Sequence, residues 1–170
     1  PNDSDQPIAE NAPIRSDCGL PDDAFVYCSF NKSDKIDPSI FDVWMNILHR
    51  VPQGVFWQRE SNPHIQDNLR REAKTRGIDP ARLIFAPNVP DMQQHLARHR
   101  CADLFLDTYI HGAHGTAVDA LWAGLPLLCC AGLTFTSRVA ASLLTAAGLP
   151  ELIAENLQRY EDLAVHLSQA

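Results

Sequence analysis

The feature that most constrains the fold is an alternation, repeated five times, between short apolar runs and segments with helical periodicity. The apolar runs cover residues 24–31, 55–58, 82–87, 103–107 and 126–131. Each run is continuous in apolar character, which is typical of strands buried on both faces of a parallel sheet. Helical segments follow them at 39–51, 62–77, 90–101, 116–124 and 136–148. The pattern therefore predicts an α/β fold, a Rossmann-like parallel sheet with helices on both faces.

The two ends of the chain carry weaker patterns. Residues 1–22 are rich in Asp, Asn and Pro and predict an extended lead-in, while residues 23–170 form the domain. Residues 150–170 predict one or two further helices. The chain of 170 residues has the length of one domain and begins with Pro1 instead of Met, so we expect it to be a piece of a longer protein.

Two local predictions concern caps and the core. Ser39 precedes the first apolar residue of helix 39–51 and is a candidate N-cap. The tryptophans are predicted to pack in the core, and they are Trp44, Trp57 and Trp122.

Composition excludes several classes of protein. A hydrophobic share of 45% and a charged share of 21% are those of a globular protein. The net charge of -7 argues against nucleic acid as a partner, and no apolar run approaches the roughly 18 residues of a membrane span. The five cysteines show no CxxC spacing, which predicts a reducing cytoplasm and no zinc site.

Small and polar residues stand where the fourth predicted strand ends and the next helix begins. Ligands of open α/β sheets bind at the carboxyl ends of strands. Gly115 and Thr116 open the helix, where free N–H groups attract anions, and Lys35 offers an unattached positive charge. Asp119 follows at the right reach for ribose hydroxyls, so the residues predict a nucleotide diphosphate site.

The same residues also admit plainer interpretations. Gly115 and Thr116 fit an ordinary helix cap, Lys35 fits a surface lysine, and His95 fits a partly buried structural histidine. The sequence lacks the GxGxxG, GxxxxGK[ST], GxSxG and HExxH motifs, which disfavours NAD or FAD and excludes a P-loop. Periodicity and spacing thus reach a nucleotide-binding α/β domain and no further.

Four blocks of sequence resemble the C-terminal catalytic lobe of the O-GlcNAc transferase family. They are "YCSFNKSDKIDPSIFDVWMNILHRVP" (27–52), "HLARHRCADLFLDT" (95–108), "AHGTAVDALWAGLP" (113–126) and "SRVAASLLTAAGLPELIAEN" (137–156). The resemblance extends over about residues 20–170. It implies a GT-B glycosyltransferase whose full-length form carries tetratricopeptide repeats and a second catalytic lobe.

The resemblance assigns roles to individual residues. It implies that Lys35 contacts the diphosphate and assists departure of the leaving group, with Lys32 also near the phosphates. His95 and Arg98 match residues that flank the uracil ring. His114, Gly115 and Thr116 match a turn that binds the diphosphate. Asp119 matches the aspartate that binds the ribose.

The implied reaction is an inverting, metal-independent transfer of a sugar, GlcNAc from UDP-GlcNAc, to Ser or Thr of an acceptor protein. His95 and Asp119 favour UDP over the GDP-fucose used by some relatives, while other relatives glucosylate asparagine. Gly115 stands where relatives in the family usually have Thr, and Lys32 stands where they often have Gln or Asn. These two departures leave undecided which sugar is transferred and whether the protein is fully active. The alternatives are a sugar-nucleotide epimerase and a degenerate, non-catalytic module of a repeat-containing scaffold. Without the second lobe, we expect the isolated chain to be inactive.

Overall fold

The computed structural model of the chain describes residues 5–169, so residues 1–4 of the predicted lead-in and residue 170 lie outside the described residues. The strands are β1 (Phe25–Ser29), β2 (Gly54–Arg59), β3 (Leu83–Ala86), β4 (Leu104–Leu106), β5 (Leu127–Cys130) and β6 (Ile153–Ala154). The helices are α1 (Pro38–Arg50), α2 (Pro63–Thr75), α3 (Met92–Ala97), α4 (Gly115–Trp122), α5 (Val139–Ala146) and α6 (Leu157–Leu167).

The strands form one parallel sheet with the order β3-β2-β1-β4-β5-β6. The predicted Rossmann-like α/β fold is confirmed. The order reverses direction between β1 and β4, and a ligand crevice is expected at such a switch point. The two-residue β6 was not predicted, because residues 150–170 were assigned to helices only.

The core consists of two apolar layers, one on each face of the sheet. Successive residues of β1 point to opposite faces, so Val26 and Cys28 pack in one layer and Tyr27 in the other. The first layer includes small side chains of α4 and α5, and the second includes large side chains of α1 and α6. Burial on both faces explains why the strands are continuous apolar runs.

Two of the local predictions are wrong. Helix α1 is capped by Asp37, whose carboxylate accepts hydrogen bonds from the N–H groups of Ser39 and Ile40, and Pro38 occupies the first turn. A carboxylate accepts two N–H groups more readily than a hydroxyl does, and proline is suited to that turn. Trp122 is 44% exposed at the end of α4, whereas Trp44 and Trp57 are buried as predicted.

The described part of the lead-in, residues 5–22, contains no strand or α-helix, and it includes a 3-10 turn at Arg15–Cys18. Arg15 fastens this segment to the sheet. Its guanidinium donates to the carbonyl oxygens of Cys101 and Ala24 at 3.1 and 2.8 Å and to the Asp103 carboxylate at 2.7 Å. Arg15 therefore holds this part of the lead-in at the amino ends of β1 and β4, whereas the Ala9 N–H donates to the Gln93 carbonyl oxygen of α3.

Candidate functional site

A cavity of about 480 Å³ opens at the switch point between the carboxyl ends of β1 and β4. The structure brings the following predicted residues together in its lining: Lys32, Lys35, His114, Gly115, Thr116 and Asp119. Phe30, Asn31, Asp34, Arg59 and His111 complete it. The predicted phosphate-binding residues from two distant parts of the sequence therefore share one cavity.

The N-terminus of α4 faces this cavity with free backbone donors. His114 occupies the N-cap position, with a non-helical φ of -116° and ψ of -91°. The N–H groups of Ala117 and Val118 bond the His114 carbonyl oxygen. Within residues 5–169, no side chain caps the helix and the N–H groups of Gly115 and Thr116 have no hydrogen-bond acceptor. A capping side chain commonly accepts from the N–H at the second or third helical position, and without one the donors of this turn stay available to an anion.

Lys35 reaches the same turn from a 3-10 turn at Ser33–Lys35. The prediction of an unattached charge is wrong, since its Nζ donates to the Gly112 carbonyl oxygen at 2.9 Å. Partial burial lowers the pKa of Lys35, and the carboxylates of Asp107 and Asp34 oppose that shift. A half-desolvated ammonium held by one neutral carbonyl gains stability when an anion arrives, which suits a phosphate ligand.

His95 and Asp119 lie together beside the cavity. Asp119, one turn into α4, has its Oδ2 at 3.8 Å from His95 Nε2. Arg98 donates to His95 Nδ1 at 2.8 Å, and because a guanidinium has only donors, that ring nitrogen must accept. The proton of neutral His95 is therefore on Nε2, on the side of Asp119. The arrangement orients His95 next to the residue predicted to bind ribose.

Arg98 itself lies deeper than the resemblance implied. Its side chain is 5% exposed, donates to the Pro87 carbonyl oxygen at 2.6 Å and stacks over the Phe30 ring at 4.4 Å. Burial lowers its pKa, and the same cause lowers the pKa of neighbouring His99 to about 4. The structure thus places Arg98 beneath Phe30, which lines the cavity, and its predicted contact with uracil stays a prediction.

Sequence reasoning assigned no role to two buried polar residues under the cavity. Asn31 follows β1 and Asp107 follows β4, and Asn31 Nδ2 donates to Asp107 Oδ1 at 3.0 Å. Burial raises the pKa of Asp107 to about 7, against the opposing effects of hydrogen bonds from Ala113 and Asn31 and of the Lys35 charge. The available signal was a polar residue at the end of each of two predicted apolar runs, 24–31 and 103–107.

In residues 5–169, no three or more His, Cys, Asp or Glu side chains are grouped so that they could hold a metal ion. No helix in that range is both long and apolar enough to cross a membrane.

We expect Gly115→Ala to raise the free energy of unfolding by about 0.5–1 kcal/mol, because alanine restricts the unfolded chain. A Cβ added at Gly115 meets no atom within 4 Å, so the folded state accepts it. Gly132→Ala is the contrasting variant, since its Cβ would overlap Ser137 Oγ and lie 2.7 Å from Ser137 Cβ. Urea unfolding of the 170-residue chain measures both, and equal effects of the two substitutions would contradict the described turn.

The chain is similar to known proteins in both sequence and fold. The model of Glycosyl transferase family 41 matches residues 5–170. The UDP-N-acetylglucosamine--peptide N-acetylglucosaminyltransferase of Caenorhabditis elegans is 40% identical over 90% of the chain, and the probable one named SEC of Arabidopsis thaliana is 38% identical over 92%. The chain spans 13% and 16% of the length of these two relatives.

Solved structures show the same relationship. A mutant O-GlcNAc transferase of Thermobaculum terrenum matches with a TM-score of 0.82 and 28% identity, over 90% of this chain and 32% of that one. The lipopolysaccharide glycosyltransferase WaaG matches with a TM-score of 0.65 and 15% identity, over 92% of this chain and 41% of that one, which shows a shared fold. The chain belongs to glycosyl transferase family 41, the family of the O-GlcNAc transferases.

Proposed function

We propose that this chain is the donor-nucleotide-binding half of an inverting glycosyltransferase that moves GlcNAc from UDP-GlcNAc to Ser or Thr of proteins. The observation that carries the proposal is the meeting of the free N–H groups of Gly115 and Thr116 with Lys35 in one cavity. The names of the relatives supply the nucleotide, the sugar and the peptide acceptor. The chain spans a small part of those relatives, and we propose that the acceptor site and the base belong to residues outside it.

The reaction forms a bond between the acceptor hydroxyl oxygen and the anomeric carbon, and it breaks the bond from that carbon to the β-phosphate oxygen. The hydroxyl proton passes to a base, and UDP leaves with the electron pair. Negative charge therefore grows on the diphosphate in the transition state. Donors fixed before the reaction stabilise such charge strongly, since they need no reorganisation.

The residues of this chain supply that stabilisation. The N–H groups of Gly115 and Thr116 point along the positive end of the α4 dipole. Lys35 exchanges its neutral partner, the Gly112 carbonyl, for a phosphate oxygen of the leaving group. These groups provide the positive charge that a divalent cation supplies in other enzymes, and we therefore propose that the reaction needs no metal.

Asp119 and His95 are proposed to hold the nucleoside. Asp119 accepts hydrogen bonds from ribose hydroxyls, and neutral His95 presents its ring beside it. A reducing, cytoplasmic location is also proposed, because the five cysteines are unpaired, including buried Cys28, Cys129 and Cys130.

Transfer of radiolabelled GlcNAc from UDP-GlcNAc to a Ser/Thr peptide by the full-length protein tests the proposal. We expect transfer that persists in EDTA, and calorimetric binding of UDP. Binding of UDP without transfer of sugar to any protein or peptide acceptor would contradict the proposed transferase activity. Absence of binding at millimolar UDP would favour the non-catalytic scaffold that Gly115 left open. We expect the isolated 170 residues to transfer no sugar.

A further inference from the structure

A directed chain of buried and partly buried hydrogen bonds runs along the cavity, from α4 to the carboxyl ends of β1 and β4. Thr116 Oγ1 donates to Asn31 Oδ1 at 2.6 Å. Asn31 Nδ2 in turn donates to Asp107 Oδ1 at 3.0 Å and to Thr108 Oγ1 at 2.9 Å. Thr108 Oγ1 donates to the His111 carbonyl oxygen at 2.7 Å. The chain thus begins and ends on the segment that carries the proposed phosphate-binding turn.

Asp107 sets the direction of this chain. Its Oδ1 accepts from both Asn31 Nδ2 and the Ala113 N–H, the latter at 2.6 Å. Because Asp107 Oδ1 accepts, the Asn31 side chain must turn its amide NH₂ toward Asp107, which leaves Asn31 Oδ1 for Thr116. One carboxylate oxygen therefore fixes Asn31, the hydroxyl of Thr116 and the backbone of Ala113.

The surroundings of Asp107 leave it little freedom. Its side chain is 2% exposed, and its backbone carbonyl accepts from the Tyr160 hydroxyl at 2.9 Å. A Cβ added at Gly112 would lie 3.0 Å from Asp107 Oδ2, so the turn passes close over the carboxylate. Gly112 also receives Lys35 on its carbonyl oxygen, and its N–H bonds the Thr136 carbonyl oxygen. Asp107 is thus in contact with the turn on which both Lys35 and the free N–H groups depend.

We propose that Asp107, acting through Asn31 and the Ala113 N–H, is a positioning residue that holds the 112–116 turn in the geometry needed for transfer. Asp107 is not among the described residues that line the cavity. It therefore acts on the ligand only through the groups that it orients. The inference rests on the proposed function, and it adds a residue that joins the two strand ends at the switch point. A loosely held donor stabilises a transition state poorly, and a misplacement of about 1 Å can cost about 100-fold in rate.

The chain offers a matched control on the same strand. Asp103 stands just before β4, where its Oδ2 accepts from the Val26 N–H and from Arg15, both at 2.7 Å. Like Asp107, Asp103 is a carboxylate that accepts from a backbone N–H, but it lies at the amino end of β4, whereas Asp107 lies at the carboxyl end. Loss of Asp103 therefore affects the fold without affecting the turn.

The test measures kcat for GlcNAc transfer, UDP affinity and Tm for variants of the full-length protein. We expect Asp107→Ala to lower kcat about 10–100-fold, since a donor misplaced by about 1 Å can cost about 100-fold. Asp107→Asn should restore kcat to within about threefold, because its amide oxygen still accepts from Asn31 and Ala113. The pKa of Asp107, raised to about 7, agrees with a site that accommodates a neutral group of this shape. Asp103→Ala should lower Tm and change kcat less than about threefold.

Each outcome decides a separate question. A Tm loss without a kcat loss for Asp107→Ala, or an Asp107→Asn variant as slow as Asp107→Ala, would overturn the positioning role. If Asp107→Ala does not fold, Asn31→Ala removes the connection from Asp107 to Thr116 and leaves the one to Ala113, and it must lower kcat by more than about threefold. If the unmodified protein transfers no sugar, the proposed function fails, and this inference fails with it.

Discussion

Replacing Lys35 with alanine in the full-length protein is expected to lower kcat by about 10²–10³-fold, the usual cost of removing one preorganised donor to a developing anion. The cavity places Lys35 beside the anion-binding turn, and its partial desolvation strengthens its interaction with charge that grows on UDP. UDP affinity should fall by less than about tenfold, because the N–H groups of Gly115 and Thr116 remain. Steady-state kinetics and calorimetric titration with UDP measure the two effects.

Lys32→Ala is the matched control for this experiment. Lys32 lines the same cavity, and it is exposed, so its charge is screened by solvent. We expect its removal to lower kcat by less than about tenfold. A Lys35→Ala variant that loses as much in UDP affinity as in kcat would contradict the leaving-group role, and so would equal kcat losses for the two lysines.

Trp44→Ala is expected to lower the free energy of unfolding by about 3–5 kcal/mol, the range for removing a buried aromatic side chain. Trp44 is fully buried in the layer between α1 and the sheet, where it packs on Phe56 with ring centroids 4.6 Å apart. Its Nε1 donates to the Tyr160 hydroxyl at 3.3 Å, and that hydroxyl donates to the Asp107 carbonyl oxygen. Urea denaturation of the 170-residue chain, followed by circular dichroism, measures the loss.

Trp122→Ala provides the comparison within the same residue type. Trp122 is 44% exposed, and its Nε1 donates to the Gln6 carbonyl oxygen at 2.9 Å. We expect this variant to lose less than about 1.5 kcal/mol, since much less apolar surface leaves water on folding. Similar losses of unfolding free energy for the two tryptophan variants would contradict the placement of Trp44 in the core and of Trp122 at the surface.

Much of the fold could be predicted from local sequence because its strands are buried on both faces. Runs such as 103–107 do not show the alternation of apolar and polar residues of a half-exposed strand. The segments between the runs show the helical spacing of apolar residues. The two-residue β6 is too short to carry a period, and its place at the sheet edge depends on pairing with β5. The prediction that Trp122 lies in the core rests on residue type alone. Residue type does not show which side of α4 is covered, and Trp122 stays 44% exposed.

The site divides in the same way. The turn at Gly115 and Thr116 was predictable, because small residues at a helix start after a strand are a local pattern. The Asn31–Asp107 pair was not, since 76 residues separate the two and only the β1–β4 adjacency brings them together. The Lys35 contact with Gly112 likewise depends on packing between distant segments, and local sequence carries no record of it.

A crystal structure of the full-length protein with UDP tests the central claim most directly. We predict that the diphosphate lies against the N–H groups of Gly115 and Thr116, with Lys35 Nζ within hydrogen-bond distance of a phosphate oxygen. A diphosphate bound elsewhere, or a turn that stays empty at saturating UDP, would contradict the account.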